Sequence, residues 1–310
     1  MQVSVIGGGS IGLLFAGYIA REFPTTLYVR RKEQYHAIKE GGIHILNHSE
    51  DFKSYPQVKY SDEPWIGDLI ILAVKQPEIL SLTETLNNKV NVNQGLMFIQ
   101  NGMGHIDILE NLQHRHIFLG VVEHGAKKTS DNQVVQNGLG NTQVAAFRGD
   151  MKFINDLLLL SQFPFKIQSD WKSMLIEKLI VNAVINPLTA LYRVKNGQLI
   201  ENTFYYQVMK QVFQETADVL CLSNPKNNYL PNNIAHYWDK VMNICKNTSD
   251  NRSSMLQDIE AGRITEIEAI SGYIIKEADR IGKGCPLTQF LYNSILAVQF
   301  DYLRKEGAND

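Results

Sequence analysis

The hydrophobic positions in the first half of the chain form short, nearly continuous runs that are rich in β-branched residues. Runs of this kind are typical of strands that are buried on both faces of a parallel sheet. We predict strands at Val3–Ile6, Thr25–Val29, Gly42–Leu46, Asp68–Val74, Gln94–Gln100, His116–His124 and Phe165–Ile167. Two further β-rich pieces, Gln133–Val135 and Thr142–Phe147, are predicted as hairpin-like strands at the sheet edge, and residues 151–163 as a helix.

The pattern changes near Gln168–Trp171, where strand signals fade and long apolar segments with helical spacing begin. Helices are predicted over residues 171–192, 203–222, 231–246, 252–261, 265–281 and 287–305, with a loop at Asn224–Asn233. The sequence therefore predicts an α/β N-terminal domain over residues 1–168 and an all-α C-terminal domain over residues 169–310.

Length and composition narrow the class of protein. A chain of 310 residues is long enough for two domains, and its net charge of −2 gives no basic field that would attract nucleic acid or an anionic membrane. The N-terminus starts directly with the first strand, no apolar stretch reaches the ~18 residues of a membrane span, and no signal peptide is expected. The three cysteines and eight histidines show no metal-binding spacing, so no metal site is predicted. These features indicate a reduced, cytoplasmic protein.

The first predicted strand leads straight into the glycine-rich turn Gly7-Gly8-Gly9-Ser10-Ile11-Gly12, which opens a predicted helix. A strand, Gly-x-Gly-x-x-Gly and a helix in that order form the dinucleotide-binding fingerprint of a Rossmann-type domain. The first glycine permits the tight turn, the second lets the backbone approach a pyrophosphate, and the third allows close packing. Because glycine-rich turns are common, a purely structural turn is the alternative.

The second predicted strand ends in Arg30-Arg31-Lys32. An NAD site would usually carry an acidic residue here, about 20 residues past the glycines, to bind the ribose 2′-hydroxyl. A carboxylate would repel a 2′-phosphate, whereas a guanidinium can bind it with two hydrogen bonds. We therefore predict that Arg30 binds the 2′-phosphate of NADP, with Arg31 or Lys32 assisting. A solvated basic loop is the alternative.

Four more residues follow predicted strands at their carboxyl ends, where ligands bind in open parallel sheets. Lys75 is a candidate cofactor or substrate contact, although a surface lysine would look the same. Asn101 has both a donor and an acceptor for a ribose or a carboxylate, but Asn-Gly is also a common turn. The small residues Gly125 and Ala126 would let the chain pass close to a bound cofactor.

The predicted helix from residue 171 carries a polar stripe formed by Lys178, Asn182 and Asn186. Residues at i, i+4 and i+8 drift by only about 40° per step around a helix, so they share one face. The surrounding residues are almost all apolar, and a lysine and two amides there would be costly unless they were paired or faced a wet cleft. Pro187 interrupts the backbone ladder beside Asn186. A solvated helix edge is the alternative.

Two later segments offer partners for this stripe. Asn251, Ser253 and Ser254 provide donors for a carboxylate, although either serine could be only an N-cap. Glu266 could hold the ammonium of Lys178 and bind a substrate hydroxyl. Alternatively, its only role could be a favourable interaction with the dipole of the helix that it opens.

Together these stretches resemble the 2-dehydropantoate 2-reductase (ketopantoate reductase) family over nearly the full length of the chain. The matching stretches are Gly7–Gly12, Asn101–Gly104, Lys178–Ala190, Asn196-Gly197, Ser253–Asp258 and Thr265–Ile267. The resemblance implies a Rossmann domain, an all-helical domain and an active site in the cleft between them. It also implies NADPH-dependent reduction of 2-dehydropantoate, a 2-keto acid, to (R)-pantoate, a step in pantothenate and coenzyme A synthesis.

The family motifs imply roles for residues at matching positions. The resemblance implies that Lys178 is the general acid. It also implies that Glu266 is the acidic partner of Lys178 and a cofactor contact. The implied substrate contacts are Asn101, Lys178, Asn182, Asn186, Asn196, Asn251 and Ser254. The implied cofactor contacts are Gly7, Gly8, Gly9, Ser10, Ile11, Gly12, Arg30, Lys75, Asn101, Ala126 and Glu266. The loop after Lys75 departs from some family members, so the resemblance assigns no role to Gln76 or Glu78.

Two other functions remain open at this point. A β-hydroxyacid dehydrogenase of the 6-phosphogluconate type also combines a Rossmann domain, helices and a catalytic lysine near an asparagine. A non-catalytic NADP-sensing regulator is the second alternative, although the sequence has no basic stripe for DNA. The apolar C-terminal helices are consistent with a homodimer.

Overall fold

The computed structural model describes residues 1–47, 49–223 and 234–306. The chain divides into two compact units. The sheet unit consists of Met1–Gln100 and Ile106–Met174, and the helical unit consists of Asn101–His105 and Leu175 to the C-terminus. That residues 1–168 and 169–310 are separate domains stays a prediction, and the predicted loop at Asn224–Asn233 lies outside the described residues.

The main sheet of the sheet unit has eight strands in the order β12-β11-β8-β7-β6-β1-β2-β5. All neighbouring strands are parallel except β11 and β8. The strands are β1 Val3–Ile6, β2 Thr25–Val29, β5 Gln57–Tyr60, β6 Leu69–Leu72, β7 Gly95–Phe98, β8 His116–Val122, β11 Thr142–Arg148 and β12 Phe165–Ile167. Strands β1, β2, β6 and β7 are buried along their whole length, as their continuous apolar runs predict.

The strand register brings three predicted cofactor segments to one edge of this sheet. Ile6 is paired with Tyr28 on one side and with Leu72 on the other. The glycine turn, Arg30 and Lys75 follow these three strands, and all three strands run in the same direction. The carboxyl ends of parallel strands are where such folds bind ligands.

A second sheet has four strands in the order β4-β3-β10-β9. They are β3 Ile43–Leu46, β4 Phe52–Ser54, β9 Gly125–Lys128 and β10 Gln133–Gly138. The predicted hairpin of Gln133–Val135 with Thr142–Phe147 is wrong, because β10 pairs with β9 and β3 while β11 pairs with β8 and β12. Strand β9, the antiparallel partner of β10, was not predicted, because its sequence Gly-Ala-Lys-Lys has no apolar alternation.

The helices of the sheet unit are α1 Ser10–Ile19, α2 Lys32–Gly41, α3 Gln76–Lys89 and α4 Ile106–Glu110. The segment predicted as a helix over 151–163 is a 3₁₀ helix at Met151–Leu159, with the Asp150 carboxylate accepting from the backbone N–H of Lys152. The core lies between the sheets and α1, where Leu13, Leu14 and Phe15 are fully buried.

The helical unit confirms the predicted change from strands to helices. Its helices are α5 Trp171–Tyr192, which begins in the sheet unit, and then Gln198–Glu201, Thr203–Ser223, Ile234–Asn247, Ser254–Glu260, Tyr273–Arg280 and Pro286–Glu306. A π-helical turn at Glu268–Gly272 precedes Tyr273. Helix α5 continues through Pro187 without interruption.

One helix in the described part of the chain is long and apolar enough to cross a membrane. It is Trp171–Tyr192, with 22 residues and a mean hydropathy of 1.4 over its best window, which corrects the sequence-based expectation that no stretch is so apolar. Of that window, 83% is buried inside the protein. Since core helices pass the same test, this is weak evidence for a membrane span.

Candidate cofactor and active site

The glycine turn has a geometry that only glycine satisfies at two positions. Gly7 has a φ of +114°, and a Cβ added to Gly12 would lie 1.8 Å from the Gly7 carbonyl oxygen. The N-cap of α1 is Gly9, which offers no side-chain cap, and a Cβ there would meet nothing within 4 Å. The first-turn N–H groups of α1, beginning at Ser10 and Ile11, are therefore open to an anion. Such a helix start fits a dinucleotide pyrophosphate.

Two side chains fasten the turn at Gly8. The Gln34 amide Nε2 donates to the Gly8 carbonyl oxygen at 2.8 Å and to the Asp131 carbonyl oxygen at 2.8 Å. The Lys128 ammonium donates to the same Gly8 carbonyl at 3.4 Å. Neither residue carries a sequence motif, although Lys128 stands two positions after Ala126 on the same strand.

The basic segment after β2 forms two ion pairs. Arg30 lies 3.0 Å from the Glu78 carboxylate, and the Arg30 side chain is 71% exposed. Arg31 pairs with the Asp131 carboxylate, which also lies 3.2 Å from the Lys128 ammonium. The charged groups at the carboxyl end of β2 thus include acidic partners that the sequence did not indicate.

Electrostatics around Asp131 reflect the two cations. Burial raises the pKa of this carboxyl, but the hydrogen bonds and the charges of Arg31 and Lys128 together outweigh that effect and hold the pKa below its usual value. Burial lowers the pKa of the Lys128 ammonium, while the hydrogen bond to Asp131 acts in the opposite direction. The carboxylate therefore stabilises two cations that lie next to the glycine turn.

The other two predicted cofactor residues of the sheet unit lie on regular elements. Lys75 is the N-cap of α3 and is partly buried. Ala126 lies in β9, opposite Gln136 of β10, and is also partly buried. Their contacts with a cofactor stay predictions.

Asn101 and Glu266 meet in the helical unit. The Asn101 amide Nδ2 donates to Glu266 Oε2 at 2.8 Å, so this asparagine is more than a turn residue. The Met103 N–H donates to the Ala269 carbonyl oxygen at 3.0 Å. Gly102 has a φ of +79°, and a Cβ there would lie 2.3 Å from that carbonyl. These contacts fasten the loop after β7 to the π-helical turn.

The polar stripe of α5 lies on a helix that is buried on most sides. Lys178 is partly buried, while Asn182 and Asn186 are only 7% and 6% exposed. Asn186 Nδ2 donates to Ser254 Oγ at 3.5 Å. Asn182 makes no side-chain hydrogen bond with another residue that the structure describes. A buried amide of this kind fits a ligand contact, because unpaired buried polar groups are costly.

The structure decides which serine is the N-cap. Ser253 Oγ accepts from the Leu256 N–H at 3.1 Å and caps the Ser254–Glu260 helix. The fully buried Thr189 hydroxyl lies 2.8 Å from Ser253 Oγ and 2.7 Å from the Ile185 carbonyl oxygen. Ser254 is consequently left exposed and in contact with Asn186.

Asn196 and Asn251 lie on two loops that are joined by backbone hydrogen bonds. The Asn196 N–H donates to the Asn251 carbonyl oxygen at 3.0 Å, and Asn196 Nδ2 donates to Thr248 Oγ1 at 2.8 Å. Asn196 Oδ1 is buried and has no partner within the described residues. The Asn251 side chain is exposed. All seven predicted substrate residues thus belong to the helical unit.

Among the described residues, no three His, Cys, Asp or Glu side chains are grouped so that they could hold a metal ion. The three cysteines are unpaired thiols. Burial raises the pKa of Cys245 to about 12 and that of Cys285 to about 11, which disfavours a thiolate.

The fold and site define a class of proteins that combine a Rossmann-type unit with an all-helical unit carrying a lysine and several amides. Comparison with known families narrows this class. The family model "Ketopantoate reductase PanE/ApbA" matches residues 3–149, and "Ketopantoate reductase PanE/ApbA C terminal" matches residues 170–299. The chain therefore belongs to the ketopantoate reductase family of oxidoreductases.

Individual relatives agree with this assignment. A 2-dehydropantoate 2-reductase of Bacillus subtilis is 40% identical over 303 residues, covering 96% of this chain and 98% of the relative. The crystal structure of the probable 2-dehydropantoate 2-reductase of Bacillus subtilis superposes with a TM-score of 0.83 at 39% identity, covering 96% of this chain and 100% of that one. A dimeric ketopantoate reductase of Staphylococcus aureus shares the fold, with a TM-score of 0.77 at 22% identity, over 97% of this chain and 100% of that one.

Proposed function

We propose that the protein reduces 2-dehydropantoate to (R)-pantoate with NADPH, a step in pantothenate and coenzyme A synthesis. Membership of the ketopantoate reductase family and the 40% identical 2-dehydropantoate 2-reductase support this proposal. The observation that carries it is the line of Lys178, Asn182 and Asn186 along a helix that is otherwise buried. An ammonium and buried amides on one face suit a small, anionic keto acid.

The cofactor residues are proposed from the geometry of the glycine turn and its surroundings. NADPH, when bound, supplies the hydride that reduces the ketone. The uncapped start of α1 at Gly9 would bind the pyrophosphate, and Arg30 would bind the 2′-phosphate. Lys75 and Ala126 would line the rest of this site.

Lys178 is proposed as the general acid. The carbonyl oxygen of a ketone gains negative charge as its carbon is reduced, and a proton must follow. A positioned ammonium lowers the barrier by stabilising that charge and then donates the proton. Glu266, which accepts from Asn101, is proposed to hold the ammonium and to contact the cofactor.

The amides and the serine are proposed to bind and orient the keto acid. Ser254 Oγ accepts from Asn186, so its own proton is available for the substrate carboxylate. Asn182 has no protein partner for its amide among the described residues and would orient the lysine and the carbonyl. Asn196 and Asn251 would complete the site.

We further propose that the protein works in the cytoplasm as a homodimer. Support for the dimer comes from the dimeric ketopantoate reductase of Staphylococcus aureus, which shares the fold. Sedimentation of the purified protein tests it, and a monomer at every concentration would contradict it.

The activity is tested by following NADPH oxidation with a panel of 2-keto acids. We expect 2-dehydropantoate to have the highest kcat/KM in the panel and NADPH to be preferred to NADH. Turnover of 6-phosphogluconate with NADP in the same assay would favour a different dehydrogenase. NADPH binding without oxidation of any keto acid would favour a sensing role instead.

A further inference from the structure

The strand β9 presents two neighbouring lysines with different surroundings. Lys127 is exposed, whereas the side chain of Lys128 is only 26% exposed and points to the glycine turn. The Lys128 ammonium lies 3.4 Å from the Gly8 carbonyl oxygen and 3.2 Å from the Asp131 carboxylate. Side chains alternate along a strand, so Lys128 shares a face with Ala126 and not with Lys127.

Partial burial of the Lys128 ammonium costs free energy, and its hydrogen bond is not needed to satisfy the Gly8 carbonyl. The Gly8 carbonyl already accepts a hydrogen bond from Gln34 at 2.8 Å. Burial disfavours the charged form of Lys128, as its lowered pKa reflects. Lysine usually keeps its charge in water, so a partly buried ammonium beside a phosphate-binding turn suggests an anionic ligand.

Arg31 also pairs with the Asp131 carboxylate that contacts Lys128. Asp131 pairs with Arg31 and with Lys128, so two cations face one anion and the cluster keeps an excess positive charge. Arg31 directly follows Arg30 at the end of β2, and the register of β1 with β2 puts this end next to the glycine turn. The excess charge therefore lies beside the glycine turn and next in sequence to Arg30, which is proposed to bind the 2′-phosphate.

We propose that Lys128 and Arg31 bind the 2′-phosphate of NADPH alongside Arg30, with Asp131 holding Lys128 and Arg31 in place. The inference rests on the proposed use of NADPH. A phosphomonoester carries nearly two negative charges at neutral pH and three acceptor oxygens, so it can be shared by two or more cations. Lys128 is then a specificity-determining residue that distinguishes NADPH from NADH.

The test compares Lys128→Met with Lys127→Met, which removes an exposed lysine of the same strand. Dissociation constants for NADPH and NADH are measured by titration of cofactor fluorescence, and folding is checked by the melting temperature. A charge-assisted hydrogen bond of the usual strength predicts that Lys128→Met weakens NADPH roughly 10- to 100-fold. NADH should change by less than about 3-fold, Lys127→Met should resemble the wild type, and Lys128→Arg should restore most of the affinity.

Each other result has a distinct meaning. Unchanged NADPH affinity in folded Lys128→Met overturns this inference and leaves the proposed function intact. Equal weakening of NADPH and NADH overturns the assignment to the 2′-phosphate. Failure of the wild type to bind NADPH overturns the proposed function as well. If Lys128→Met does not fold, Lys128→Gln replaces it, because glutamine removes the charge but keeps a donor for the Gly8 carbonyl. NADPH should again weaken more than NADH, and unchanged affinity or equal weakening of the two cofactors overturns the inference.

Discussion

The Asn101 amide donates to the Glu266 carboxylate at 2.8 Å, although the two residues are 165 positions apart. Because Nδ2 is engaged in this bond, Oδ1 is the Asn101 atom left to accept from a ligand hydroxyl. The backbone hydrogen bond of Met103 to Ala269 holds this contact in place. Gly102, between Asn101 and Met103 in the chain, has a φ of +79°. The two predicted site residues are thus fixed to each other within the helical unit.

The backbone at Gly102 should be essential to this arrangement. In Gly102→Ala, the new Cβ would lie 2.3 Å from the Ala269 carbonyl oxygen, and a positive φ disfavours any side chain. We expect the free energy of unfolding to fall by about 1–3 kcal/mol and kcat/KM to fall with it. Urea denaturation and steady-state kinetics measure both. Gly284→Ala, where a Cβ would meet no atom within 4 Å, is the matched control. Equal effects of the two variants would contradict the argument.

Removal of the ammonium at residue 178 should separate chemistry from cofactor binding. Lys178→Ala is expected to lower kcat about 10²- to 10⁴-fold, the usual contribution of a positioned acid. NADPH affinity should survive, because the glycine turn and Arg30 belong to the other unit. Lys172→Ala, at the start of the same helix, serves as the control and should turn over normally. Near-normal turnover of Lys178→Ala would remove this residue from the mechanism.

The pairing of Arg30 with Glu78 bears on cofactor choice. Arg30→Ala should weaken NADPH far more than NADH, because a guanidinium binds a 2′-phosphate but is not required by a 2′-hydroxyl. Fluorescence titration with each cofactor measures the ratio of dissociation constants. If both cofactors were weakened equally, Arg30 would not be reading the phosphate. Glu78→Gln, which removes only the competing carboxylate 3.0 Å away, is an informative companion and should not weaken NADPH.

The parts of the site that the sequence predicts are those set by local periodicity. Helical spacing alone places Lys178, Asn182 and Asn186 on one face of α5, and the structure has a single helix there. The glycine pattern likewise predicts a strand, turn and helix at Gly7–Gly12, because each step depends on neighbouring residues. The fold class followed from the same two kinds of pattern.

The parts that it did not predict depend on contacts between distant segments. Gln34, Lys128 and Asp131 come together around Gly8 only after β9, β10 and α2 have been placed. The error over the β10 hairpin has the same origin, since strand partners are chosen by tertiary packing rather than by proximity in sequence. The bond from Thr189 to Ser253 spans 64 positions and carries no local signal.

The buried contact between Thr189 and Ser253 should position Ser254, the serine that is proposed to contact the substrate. Thr189→Val keeps the shape of the side chain but removes the hydroxyl that lies 2.8 Å from Ser253 Oγ. We expect a loss of about 1–2 kcal/mol of stability and a higher KM for the keto acid, with kcat less affected. Thr189→Ser keeps the hydroxyl and should restore the KM. A normal KM in Thr189→Val would show that Ser254 does not depend on this contact.

A buried histidine should make the sheet unit sensitive to acid. Burial lowers the pKa of His124 from 6.5 to about 4, its Nδ1 accepts from the Gly140 N–H at 3.2 Å, and its Nε2 is buried without a partner among the described residues. The folded state therefore favours neutral His124, and the unfolded state binds the proton first as the pH falls. Its contribution to stability is complete above pH 6.5 and is lost progressively down to about pH 4.

The expected size of this effect is a few kcal/mol, on the order of 1.4 kcal/mol for each unit of pKa difference. The free energy of unfolding is measured by urea denaturation at several values of pH between 7.5 and 4.5. His124→Gln cannot take up the proton, so its stability should be lower at neutral pH but should depend less steeply on pH. His36→Gln, which removes an exposed histidine of α2, is the control and should keep the wild-type slope. An unchanged slope in His124→Gln would assign the acid sensitivity to other groups.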